Sequence, residues 1–135
     1  TTVYINSAEQ CGAYNYVKGS EGQIGGVTYL TIDSLSQKGS VGNYIYGSDG
    51  QQGGVTYLTI RSLSQEGYLG MNEGNYIYGS KGQKGGVTCL ILGQWSQTGP
   101  DNVRVDQINH QGGVTTVTWG SEKTVYAGDM TINVT

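Results

Sequence analysis

His110 is the single histidine of the chain, and that removes most of the catalytic repertoire. A two-histidine metal site is impossible, and any serine-histidine-aspartate relay has to run through this one ring. Asp106 stands four residues earlier, but on a strand-turn segment that spacing pairs nothing. His110 reads as an exposed turn residue that replaces Gln51 of another repeat. Ten carboxylates are available for work on a glycosidic bond, which needs two of them facing each other across the substrate. No spacing pairs them. Gly-Gly-Val-Thr recurs, but it enters a strand, whereas a phosphate loop needs a helix N-terminus and usually a lysine. Cys11 and Cys89 have no CxxC or metal-type spacing, and one disulfide fits the count as well as two free thiols do. The chain reads as a non-enzyme with no metal and no cofactor.

Binding chemistry is better represented. Three loops, Gly19-Ser20-Glu21-Gly22-Gln23, Gly47-Ser48-Asp49-Gly50-Gln51 and Gly79-Ser80-Lys81-Gly82-Gln83, keep serine and glutamine while the residue after the serine changes from Glu to Asp to Lys. In one reading these side chains hydrogen-bond their own turn. In the other, each loop offers a hydroxyl, an amide and backbone N–H groups to a polar ligand. Eleven tyrosines and no phenylalanine place aromatic surface where a hydroxyl can reach water or a partner. Such rings form cross-strand ladders or stack on the apolar face of a sugar. Trp95 and Trp119 are stacking candidates, although Trp95 occupies the place of Leu35 and Leu63 and suits a core equally. The candidate ligand-binding set is Ser20, Glu21, Gln23, Tyr46, Ser48, Asp49, Gln51, Tyr78, Ser80, Lys81, Gln83 and Trp95.

The elements that carry these residues repeat. Copies begin at Asn15, Asn43, Asn75 and, degraded, Asn102, spaced by 28, 32 and 27 residues, and each runs through glycines into Gly-Gly-Val-Thr. The internal repeats are 15–42, 43–74, 75–101 and 102–135, within one domain over 1–135. Asn43 to Leu63 reads as a β-hairpin: a short strand, a glycine-rich turn and a longer strand on which Thr56, Leu58 and Ile60 share the core face. Ile45 and Ile77 match that face, leaving Tyr44, Tyr46, Tyr76 and Tyr78 opposite. Strands are also expected at Thr2 to Ile5 and between Lys123 and Val134. The sequence predicts an all-β, antiparallel domain of four repeated hairpins and ten to twelve strands, closed as a sandwich, barrel or prism.

Composition narrows the function classes. Twenty-four glycines in 135 residues oppose long helices, and their spacing with one proline excludes collagen. A net charge of −3 without any Lys or Arg cluster gives no footprint for nucleic acid, and no apolar run is long enough for a transmembrane segment. A start at Thr1 suits a processed protein, secreted or stored in soluble form. One sequon, Asn133 to Thr135, stands at the end. The expectation is a lectin: a multivalent protein that binds glycans or glycoproteins through its repeated loops and forms a homo-oligomer. The alternative is a loop-presenting protease inhibitor, with the insertion from Glu66 to Gly74 as its loop, or a structural or defence β-protein. An ice-binding surface is a third reading, with Thr28, Thr56 and Thr88 as its column.

Overall fold

β-branched and aromatic residues with period-2 alternation make strands here, as the sequence predicts. Their partners are different from those expected. The computed structural model describes residues 1–67, 74–99 and 101–118. It contains β1 (Thr2–Gln10), β2 (Tyr14–Lys18), β3 (Val27–Gly39), β4 (Gly42–Tyr46), β5 (Val55–Gly67), β6 (Gly74–Lys81), β7 (Val87–Thr98), β8 (Asn102–Ile108) and β9 (Val114–Thr118). The odd strands form one sheet in the order β1-β3-β5-β7-β9, and the even strands form a second in the order β2-β4-β6-β8. Every pairing is parallel. The chain winds as a β-solenoid of about four turns. No helix among the described residues is long and apolar enough to cross a membrane.

The expectation of antiparallel hairpins closed into a sandwich or barrel is therefore wrong. A hairpin turn and a solenoid corner ask for the same local sequence, two β-rich runs split by glycines. They differ in where the backbone hydrogen bonds go. In a hairpin the second strand bonds back to the first; here it turns into the other sheet, and both strands bond to their copies one turn away. Val55 lies against Val27 and Val87, and Asn43 against Asn15 and Asn75. Near-identical residues consequently stack in columns.

The columns build the core. Leu58 and Leu90, Ile32, Ile60 and Leu92, and Leu35, Leu63 and Trp95 face inward from the long strands, with Ile45 and Ile77 opposite them. Each fully buried Leu or Ile contributes about 1.5–3 kcal/mol. The inward phase slips once along each long strand, between Ile60 and Leu63, and the register skips Asp33, Arg61 and Gly93 there. At the corner before the glycine loop, a Cβ on Gly47 would overlap the carbonyl oxygen of Gly79, so the rungs meet there backbone to backbone. Gly54 is required for another reason, a φ of 77°.

Several expectations fall outside the described residues: the tip of the insertion at 68–73, Trp119, the strands after Lys123 and the Asn133 sequon. Cys11 and Cys89 are both free thiols, not a disulfide; Cys89 continues the column of Tyr29 and Tyr57.

Candidate functional site

The loop serines and glutamines point into the solenoid. Ser48, Gln51, Ser80 and Gln83 are fully buried, and Ser20 and Gln23, on the first turn, are partly so. Each pair closes on a threonine of the following rung. Thr88 Oγ1 donates to Gln51 Oε1 at 2.6 Å, which leaves Ser48 Oγ to donate to Thr88 Oγ1 at 2.7 Å. Gln51 Nε2 then reaches the carbonyls of Gly53, Gly54 and Val87 at 3.0–3.1 Å. The same arrangement joins Ser20, Thr56 and Gln23, and Ser80, Thr115 and Gln83. These side chains satisfy the corner, as the turn-bonding reading expects, and Thr56 and Thr88 are buried members of it. His110 takes the place of Gln51 and Gln83 in the next turn and is half-buried, so it differs from the exposed turn residue expected.

Two further polar columns run through the body. Asn15, Asn43, Asn75 and Asn102 form a ladder in which each Nδ2 donates to the next Oδ1 at 2.7–2.8 Å. Gln10, Gln37, Gln65 and Gln97 form another of opposite sense, each Nε2 donating to the preceding Oε1 at 2.8–2.9 Å. An amide can donate and accept along one axis, so a column of identical amides satisfies itself only when strands are parallel and in register. Sequence reasoning missed these residues. The readable signal was their phase, because Gln65 follows Leu63 by two and Asn43 precedes Ile45 by two, which puts both among the inward positions.

The loop residues between serine and glutamine remain outside. Glu21, Asp49 and Lys81 are stacked neighbours joined by parallel bridges. Lys18 spans the column, 2.8 Å from Asp49 and 3.3 Å from Glu21. Its ammonium pKa is raised, chiefly by the bond to Asp49. Beside it lie the tyrosines of the short-strand sheet. Tyr16, Tyr44 and Tyr76 stack at 4.8 and 4.9 Å, and Tyr46 and Tyr78 at 5.4 Å. Burial raises the Tyr46 hydroxyl to about 12, with Tyr78, Tyr16 and Asp49 adding and Lys18 opposing. Tyr78 is raised as well, again chiefly by burial. Trp95 is 5% exposed in the core column, with the Arg104 guanidinium 5.4 Å from its ring centroid. Of the candidate set, the charged members and the half-buried Tyr78 reach the surface, while Tyr46 is buried.

The ends of the stack form the other distinctive surface. Among the described residues, β1 and β2 pair along one side only, as do β8 and β9. Thr1 N donates to Val27 O and Tyr29 N to Thr1 O, both at 2.8 Å. Backbone groups of successive residues in a strand point to opposite sides, so Thr2 and Tyr4 turn theirs to the open edge. The core also ends there, with Ile5, Ala8 and Val17 packed against it but only partly buried. Comparison with protein-family models, curated proteins and solved structures gives no match.

Proposed function

We propose that this chain is a non-catalytic structural subunit that stacks end to end with copies of itself into a fibre. One observation carries the reading: among the described residues, β1 and β2 each pair along one side only, and the core beside them is partly exposed. Solenoids that stay monomeric close their ends with atypical polar repeats, and unpaired edges template further strands. Inside the chain each rung is recognised by a near-copy of itself, so a second copy presents the surface that this edge already fits. Because all strands are parallel, the β1-β2 end of one copy meets the β8-β9 end of the next. Such a head-to-tail contact does not close on itself and propagates as a filament.

A pair of substitutions at one position tests this. Tyr4→Pro removes an edge N–H that none of the described strands uses, whereas Tyr4→Phe keeps it. Seeded growth followed by light scattering is expected for the parent chain and Tyr4→Phe, and its loss for Tyr4→Pro with unchanged circular dichroism. Equal growth of the two variants would refute end-to-end stacking. Glycan binding is the second reading, and it rests on the rings that keep exposed faces, Tyr14, Tyr16 and Tyr29. A glycan array on the unassembled chain distinguishes it: specific sugar binding with no seeded growth would favour the lectin.

A further inference from the structure

Stacking alone does not account for the tyrosine face. Tyr16, Tyr44 and Tyr76 occupy matching positions in β2, β4 and β6, with ring planes within 12° and 8° of parallel. Stiffening a sheet asks only for aromatic surface, which Phe supplies as well as Tyr. The chain uses eleven Tyr and no Phe, so every ring of the column carries a phenol. Phenols differ from plain rings in losing one electron and one proton readily to give a radical. Its spin density lies on the carbons ortho to oxygen, in orbitals normal to the ring. Stacked rings bring those orbitals face to face.

We propose that the Tyr16-Tyr44-Tyr76 column is a site of oxidative tyrosine coupling, where a peroxidase-type oxidant using hydrogen peroxide joins adjacent turns covalently. In each coupling two tyrosines give up two electrons and two protons in all. One Cε–Cε bond forms, two Cε–H bonds are lost and both hydroxyls are retained. Hydrogen peroxide takes the two electrons and two protons and leaves as two waters. Tyr16 is 46% exposed and offers the oxidant a way in, while Tyr44 touches both partners. The neighbouring pair Tyr46 and Tyr78 is farther apart, and Lys18 and Lys81 lie 5.9 and 5.4 Å from the Tyr46 ring centroid. That pair is the protected one. Rings held in contact react as an intramolecular pair, with an effective concentration of at least about 1 mM; at about 1 µM protein this favours coupling within one chain by about a thousandfold. The proposal is independent of fibre formation.

The test treats freshly purified chain with peroxidase and hydrogen peroxide and maps the products by mass spectrometry. Trypsin separates the three rings into peptides 1–18, 39–61 and 62–81. Expected are cross-linked pairs Tyr16–Tyr44 and Tyr44–Tyr76, each short of two hydrogens, in material that still runs as a monomer under denaturing conditions. Tyr44→Phe should remove both pairs and lower dityrosine fluorescence, leaving the part that comes from the other closely stacked pair, Tyr29 and Tyr57, 4.9 Å apart. Coupling of the native chain spread over Tyr4 and Tyr14 as in urea, or undiminished fluorescence in a folded Tyr44→Phe variant, would overturn the proposal. Should that variant misfold, the parent map decides, and its lack of both pairs overturns the proposal equally.

Discussion

Gln65→Met separates the hydrogen bonds of the amide ladder from its packing, because the two side chains are similar in length and volume. Gln65 Nε2 donates to Gln37 Oε1 at 2.9 Å and to Tyr76 O at 3.2 Å, and its Oε1 accepts from Gln97 Nε2 at 2.9 Å. Methionine supplies none of these. Gln97 Nε2 keeps the carbonyls of Asn75 and Val103, so the main orphan is the buried Oε1 of Gln37. An unsatisfied buried acceptor costs about 1–3 kcal/mol and each lost bond about 1 kcal/mol net, which puts the substitution at roughly 3–5 kcal/mol. Gln10→Met is the control at the end of the same ladder. Gln10 accepts from Gln37 Nε2, which keeps the carbonyl of Tyr44, and donates to the exposed carbonyl of Tyr16, so no buried acceptor is orphaned and the cost is about 1–2 kcal/mol. Urea unfolding by circular dichroism gives the ranking, and amide exchange shows whether protection is lost around the substituted rung. Equal costs at the two positions would refute the ladder argument.

Further predictions follow from the corners and the tyrosine face. Gly47→Ala should lower the melting temperature more than Gly50→Ala. The first drives a Cβ into the Gly79 carbonyl; the second meets open space at a φ of 64° and costs about 1–2 kcal/mol. In an alkaline ultraviolet titration, Tyr46 should ionise near pH 12, and Tyr46→Phe should remove that last step. Because its folded pKa lies above the unfolded value of 10.0, the stabilisation linked to it is complete below pH 10 and is lost as pH rises towards 12. Unfolding at fixed urea should accelerate across that window, and less so in Tyr46→Phe.

The repeats, the strands and the inward phase of Thr56, Leu58 and Ile60 were legible because they follow from local composition and period-2 alternation. The direction of pairing was not, since glycine loops such as Gly47 to Gly54 serve a hairpin and a solenoid corner alike. Columns of Asn and Gln in the core phase carried that information, because only parallel strands in register let Asn43 bond to both Asn15 and Asn75. The burial of the loop serines and glutamines was hidden for a related reason. Ser48 and Gln51 repeat between copies because each copy rebuilds the same buried corner with the next rung, a constraint that resembles repeated binding loops when the chain is read in one dimension. The alternation that set Tyr44, Tyr46, Tyr76 and Tyr78 on the face opposite the isoleucines remained informative: these rings stack there in register, although Tyr46 is buried.

Mass per length, measured by scanning transmission electron microscopy on fibres of the parent chain, tests the fibre reading most directly. Strands in a stack lie about 4.8 Å apart along the axis. A 14.3 kDa chain that keeps its four to five rungs and stacks in single file gives roughly 0.6 to 0.8 kDa per Å. A fibre in which every chain contributes one layer gives about 3 kDa per Å. The first value is expected; the second, or no fibre at any concentration, would contradict end-to-end stacking of an intact solenoid.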